Sequence, residues 1–107
     1  MRNYSQKMAA YRLPKDRYES LRAFCLSADW EQTQLIKEIA IETVPDALSE
    51  WIVMYARKGM TWTQLEARGV PCSRDTFRYY RARFFWLLDK HMYEASLTVE
   101  DNDRIEV

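Results

Sequence analysis

The chain has 107 residues, 48% of them hydrophobic and 14% aromatic, with only two glycines and three prolines. That length suits one small domain with a single core, and no apolar run approaches the length of a membrane span. The sixteen basic and sixteen acidic residues cancel, so the overall charge gives no sign of a nucleic-acid partner.

Charge is instead segregated along the chain. Residues 1–28 carry six basic and two acidic residues, and residues 29–50 carry one basic and six acidic residues. Residues 51–93 carry eight basic and three acidic residues, whereas residues 94–107 carry one and five. A local basic patch is what phosphate contacts require, so this pattern leaves nucleic acid open as a partner. The amino terminus lacks the apolar core of a signal peptide, which favours a cytoplasmic protein.

Two helices are predicted in the amino-terminal half, after a polar arm that is loosely held or lies across the surface. Pro14 favours the start of the first helix, in which Arg17 and Arg22 should face water. The apolar stripe of this helix is Tyr18, Leu21, Phe24, Cys25 and Ala28. Ser27 or Asp29 caps a second helix that Pro45 ends. Its apolar positions are Trp30, Leu35, Ile36, Ile39, Ala40 and Thr43.

A third helix is predicted from Asp46 to a terminating Gly59. Its apolar stripe is Leu48, Trp51, Ile52 and Tyr55. Arg57 and Lys58 near its end suit the negative pole of the helix dipole. This helix would brace the two that follow.

The segment from Thr61 to His91 predicts a short helix, a tight turn and a longer helix. Thr61 can cap the short helix, Gly69 can end it and Ser73 can cap the long one. The core face of the long helix is Phe77, Tyr80, Phe84, Leu87, Leu88 and His91. Residues 46–91 therefore supply the three helices of a helix-turn-helix unit, whose last helix enters the major groove of DNA. An αα-hairpin with a solvated arginine face is the alternative.

Arginines follow one flank of the long helix, between Ser73 and Lys90. The planar arginine fork can bond two acceptors on guanine or straddle a phosphate. The predicted DNA-binding residues are Lys58, Thr61, Thr63, Arg74, Arg78, Arg81 and Arg83.

Residues 54–88 resemble the carboxy-terminal helix-turn-helix of sigma factors and of small late-gene transcription regulators of phages of Gram-positive bacteria. The matching residues are Lys58, Gly59, Thr61, Trp62, Leu65, Gly69, Val70, Ser73, Thr76 and Arg78. The chain departs from the family at Glu66, where a small residue is usual, and by one extra residue through Pro71 and Cys72. The resemblance implies a DNA-binding transcription regulator encoded by a phage or prophage.

A protein-binding module is the competing interpretation, for example a phage-encoded inhibitor of a host protein or a packaging adaptor. It rests on Tyr79, Phe85 and Trp86, which fall outside the main apolar stripe and could contact a partner or a second copy. They could equally pack on the amino-terminal helices. A homodimer and RNA polymerase are the further partners considered beside double-stranded DNA.

An enzyme is not predicted. The one histidine, His91, falls on the predicted core stripe, and no phosphate-binding glycine loop, paired-carboxylate motif or zinc-ligand spacing is present. Cys25 and Cys72 are expected to stay reduced. The sequence thus predicts an all-α domain of about five helices over residues 1–93, with a carboxy-terminal helix-turn-helix. Residues 94–107 are predicted to form an acidic, disordered tail. No cofactor or metal is predicted.

Overall fold

The described part of the chain forms five α-helices. A computed structural model describes the backbone of residues 10–106 and the side chains of residues 10–93. The helices are α1 (Lys15–Leu26), α2 (Trp30–Thr43), α3 (Asp46–Lys58), α4 (Trp62–Ala67) and α5 (Arg74–Glu106). The described part contains no β-strand, so the all-α prediction is confirmed. No helix in it is both long and apolar enough to cross a membrane.

Two helices begin with reciprocal capping boxes, in which the cap residue and a glutamine satisfy each other's free amide. At α2 the Gln32 amide donates to Asp29 Oδ1 at 2.8 Å, and the Asp29 amide donates to Gln32 Oε1 at 2.9 Å. At α4 the Gln64 amide donates to Thr61 Oγ1 at 3.2 Å, and the Thr61 amide to Gln64 Oε1 at 2.9 Å. Asp29 rather than Ser27 is therefore the cap of α2, and the predicted cap of α4 is confirmed.

Glycines in left-handed conformations shape the two turns that flank α4. Gly59 ends α3 with φ 64°, and Gly69 follows α4 with φ 90°. A side chain at either position would be strained, which is why glycine is needed there. The Thr76 amide donates to Ser73 Oγ at 3.2 Å, so Ser73 caps α5 as predicted.

One hydrophobic cluster joins all five helices. Helix α2 packs on α3 and α5, while α1 packs on the same two helices. The buried residues of the cluster are Leu21, Cys25, Ile36, Ile39, Ala40, Val44, Leu48, Ile52, Tyr55, Ala56, Met60, Leu65, Phe77, Phe84, Phe85 and Leu88. The amino-terminal helices therefore supply part of the one core on which α5 rests.

Two residues that the sequence placed on buried stripes are exposed. His91 is exposed because the last fully buried position of α5 is Leu88, and beyond it Met92 rather than His91 packs against the core. Trp30 is 75% exposed, since it is the first residue of α2 and lies beyond the face that packs on α3 and α5. The predicted core positions of His91 and Trp30 were wrong.

The backbone of α5 is helical to Glu106, whereas the sequence predicted a disordered tail from residue 94. No glycine or proline follows Pro71, so nothing in the local sequence stops the helix. The side chains of residues 94–107 lie outside the described residues, as do residues 1–9 of the predicted arm. Within the arm, Tyr11 is described and packs against α5.

Candidate functional site

A pocket of about 440 Å³ lies where the end of α3, the start of α4 and the first half of α5 meet α1. We call it the arginine pocket. Its lining residues are Arg22, Tyr55, Gly59, Met60, Thr61, Trp62, Arg74, Phe77, Arg78 and Arg81. None of these residues is acidic, so the pocket carries four formal positive charges and no carboxylate of its own.

Helix geometry explains how three of these arginines meet. Arg74, Arg78 and Arg81 are spaced four and three residues apart on α5, which places them on one side of the helix. Arg74 and Arg78 are exposed in the first two turns, while Arg81 is half-buried one turn further on. The arginines therefore line the pocket from its open rim to its interior.

The interior of the pocket is organised around the hydroxyl of Tyr55, whose side chain is otherwise buried at 5% exposure. Arg22 Nη1 donates to this hydroxyl at 3.1 Å, and Arg81 Nη1 donates to it at 3.4 Å. Both guanidiniums lie over the Tyr55 ring, with their carbons 5.0 and 5.7 Å from its centroid. The Tyr18 hydroxyl shares a further hydrogen bond with Tyr55 at 3.3 Å. One neutral oxygen thus holds two cations.

The positive charge of Arg22 and Arg81 is not balanced by any carboxylate in the described part of the chain. There, the buried Nε of Arg81 has no hydrogen-bond partner. A buried donor without an acceptor is costly, and two close cations repel each other. The pocket is therefore suited electrostatically to an anion.

Four of the seven predicted DNA-binding residues come together in this pocket: Thr61, Arg74, Arg78 and Arg81. Lys58 and Thr63 are exposed beside it in the chain but do not line it. Arg83 lies nine residues after Arg74, which is about two and a half turns of the helix, so it points to the opposite side. Of the seven predicted DNA-binding residues, four therefore line the arginine pocket and three lie outside it.

The predicted contact aromatics of α5 pack inside the protein to different degrees. Phe85 is 1% exposed and its ring lies 4.9 Å from that of Tyr18 on α1, so of the two alternatives for this residue it packs on an amino-terminal helix and is not available to a partner. Tyr79 and Trp86 are half-buried, and Tyr11 packs edge-on against both, at 6.0 and 5.3 Å. Tyr11 therefore covers part of the aromatic surface that the sequence left without an assigned partner.

Sequence reasoning missed Arg22 and the hydroxyl of Tyr55. Arg22 was expected in water, but it is half-buried against Tyr55. It lies four residues after Tyr18 and next to Leu21, so it shares the apolar face of α1. That spacing was the available signal.

The thiols show no sign of reactivity. Cys25 is fully buried and unpaired, and burial raises the pKa of its thiol to about 12, which keeps it protonated. Burial also raises the pKa of the half-buried Cys72 thiol. Among the described residues, no group of three histidines, cysteines or carboxylates is placed to hold a metal ion.

Comparisons with known proteins add no relative: no protein-family model, curated protein or solved structure matches this chain.

Proposed function

We propose that this protein is a DNA-binding transcription regulator of phage or prophage origin, acting in the cytoplasm, in which α4, its turn and α5 form a helix-turn-helix. The observation that carries the proposal is the convergence of Arg74, Arg78 and Arg81 with Thr61 around one open pocket without carboxylates. Arginine binds both phosphates and guanine edges. The resemblance of residues 54–88 to known helix-turn-helix regulators agrees with this role.

The exposures of the arginines divide the proposed contacts. Arg74 and Arg78, exposed near the start of α5, would reach base edges or phosphates, because the first turns of a recognition helix approach the bases. Arg81 is held by Tyr55 and would add positive charge behind them. The Thr61 hydroxyl already caps α4, so its contribution would be to position that helix against the DNA backbone. Lys58 and Thr63 would contact phosphates at the edge.

Salt dependence tests the proposal directly. Binding of a fluorescent duplex library is measured by anisotropy at several salt concentrations between roughly 50 and 200 mM, a range over which phosphate contacts weaken steeply. Each phosphate contact contributes about 0.9 to the slope of log affinity against log salt. If Arg74 and Arg78 both contact phosphates, the R74A/R78A variant should bind more weakly and its slope should fall by about 2. Direct base contacts would lower the affinity with less change in slope.

Arg83→Ala is the matched control, because it removes the same charge from the opposite side of α5. It should leave affinity within about twofold of the original protein, the size of a distant charge effect. Loss of binding in Arg83→Ala with none in the double variant would contradict the assigned face. Absence of binding at low salt, from a folded protein, would contradict DNA binding altogether.

A protein-binding role is the second candidate, and the outer face of α2 favours it. Trp30 and Ile41 on this face are 75% and 64% exposed, and large exposed apolar side chains often mark protein contacts. The partner would be a second copy of the chain or RNA polymerase. Light scattering with the Trp30→Ala and Ile41→Ser variants tests the first: a dimer that these changes dissociate would support it, and a monomer in the original protein would exclude it.

A further inference from the structure

The arginine pocket contains two arginines that a DNA backbone would not reach, in addition to the two exposed ones that it could contact. A backbone phosphate carries one negative charge and sits on a continuous strand, so it meets exposed side chains. Arg74 and Arg78 are exposed at the rim and fit that contact. Arg22 and Arg81 lie behind them, half-buried on the buried Tyr55. A ligand that reaches these two must project into the pocket.

We propose that the arginine pocket also binds the di- or triphosphate group of a free nucleotide. A chain of phosphates presents several charges on a narrow, flexible group, which can extend from the rim arginines to Arg22 and Arg81. Guanidiniums bind phosphate oxygens through paired, charge-assisted hydrogen bonds. The volume of about 440 Å³ lies within the range of small-molecule sites, roughly 300–1,000 Å³.

One wall of the pocket suits the base of such a nucleotide. Trp62 lines the pocket and is half-buried, with its ring 5.7 Å from that of Phe77, which supports it from the interior. A supported indole ring offers a flat surface on which any base can stack. The pocket therefore combines a polyphosphate site with a stacking surface, which distinguishes a nucleotide from inorganic polyphosphate.

If the protein binds DNA as proposed, a nucleotide in the pocket would compete with DNA, because Arg74 and Arg78 would contact both ligands. A nucleotide that occupies them would lower DNA affinity, so the pocket would couple transcription to nucleotide supply. This competition rests on the proposed function, whereas nucleotide binding itself does not.

Calorimetry on the full chain without DNA and without magnesium tests the site, with ATP, GTP, pyrophosphate and adenosine as probes. We expect saturable binding of both triphosphates, weaker binding of pyrophosphate and no binding of adenosine. Absence of triphosphate binding would overturn the proposal. Pyrophosphate binding as tight as ATP would also overturn it, because the base would then contribute nothing and the site would be one for inorganic phosphates.

Arg22 gives the sharpest variant because it comes from α1 and lies behind the proposed DNA-contacting rim. Arg22→Ala should weaken ATP binding about tenfold or more, the effect of removing a charged hydrogen bond, and should change DNA affinity by less than about threefold. Arg22→Lys keeps the charge but loses the planar guanidinium, so its ATP affinity should lie between those of the original protein and Arg22→Ala. Arg68→Ala removes an exposed charge outside the pocket and serves as the control. Equal loss in Arg22→Ala and Arg68→Ala would overturn the site.

Displacement separates the two proposals. ATP added to the labelled duplex complex should lower its anisotropy in the original protein more than in Arg22→Ala. DNA binding without ATP binding would overturn this inference and leave the DNA proposal standing, and ATP binding without DNA binding would do the reverse. If both bind but ATP displaces no DNA, competition is overturned.

Discussion

The first and second halves of the described part of α5 use their charges in opposite ways. In the first half, Arg74, Arg78 and Arg81 face a pocket lined by no carboxylate. In the second half the carboxylate of Asp89 already has a partner: Arg17 of α1 donates two hydrogen bonds to it, one of them 3.0 Å from Nε to Oδ1. The first half of the helix is thus suited to bind an anion from outside, whereas Asp89 in the second half is neutralised within the protein.

This comparison predicts two classes of variant. Changes at the pocket rim should alter binding and leave stability nearly unchanged, because Arg74 and Arg78 are exposed. Changes in the second half should lower stability instead.

Replacing Phe85 with alanine should cause the greatest loss of stability. The side chain is 1% exposed and packs between Tyr18 and Phe84, so its removal leaves a cavity as well as losing apolar contacts. Such changes cost about 3–5 kcal/mol. Urea unfolding followed by circular dichroism measures the effect. Trp86→Ala, on the half-buried side of the same helix, should cost less, and the reverse order would contradict the assignment of Phe85 to the buried face of α5.

Stability should also decline at alkaline pH through groups in the shared interior. Burial raises the pKa of the Cys25 thiol from 9.0 to about 12, and burial, with the hydrogen bond to Tyr55, raises the pKa of Tyr18 from 10.0 to about 12. The folded chain therefore keeps protons that the unfolded chain releases first. This stability is fully present below pH 9 and is lost progressively between pH 9 and 12.

Unfolding in urea at a series of pH values measures this loss, and Cys25→Ala tests the contribution of the Cys25 thiol. Without this thiol, only the Cys72 thiol, whose pKa burial also raises, acts from pH 9, and Tyr18 acts from pH 10, so the loss of stability between pH 9 and 12 should be smaller. An equal loss in the variant and the original protein would show that Cys25 does not contribute.

Removing only the hydroxyl of Tyr55 tests the hydrogen bonds that organise the interior of the arginine pocket. Tyr55→Phe keeps the buried ring but leaves Arg22, Arg81 and Tyr18 without their shared partner. Leaving partly buried donors unsatisfied costs about 1–2 kcal/mol, measurable by urea unfolding. Tyr80→Phe is the control, because the half-buried Tyr80 makes a ring contact with Tyr79 but no hydroxyl bond in the described part of the chain. A similar cost in both variants would remove the special role of Tyr55.

The local features of the fold were predictable because their signals lie within a few residues. The capping glutamine follows Thr61 by three positions, and Gly59 directly follows the last turn of α3. The core stripe of α3 was also correct, since its residues repeat at helical spacing.

Features that depend on how helices meet were not predictable from spacing alone. Arg17 and Asp89 are 72 positions apart, and nothing local indicates that α1 lies beside the second half of α5. The burial of Phe85 has the same origin, because α1 widens the buried face of α5 beyond its main stripe. For the site, Arg74, Arg78 and Arg81 were identified from one helix, whereas Arg22 required the tertiary arrangement.

The smallest predicted effect concerns the Arg17–Asp89 pair itself. It is compared with an ion pair that is more open to solvent. The Arg17 and Asp89 side chains are 46% and 14% exposed, so solvent screens the pair on one side only. Asp89→Asn should therefore cost about 0.5–1 kcal/mol, and less at high salt. A second pair on α1, Lys15 with Glu19 at 4.0 Å, has side chains 90% and 64% exposed. Glu19→Gln should cost nothing measurable, because solvent screens a pair of this kind from both sides. Equal effects in urea unfolding at low salt would mean that the second half of α5 is not stabilised by charge matching, and the contrast between the two halves would then rest on the arginine pocket alone.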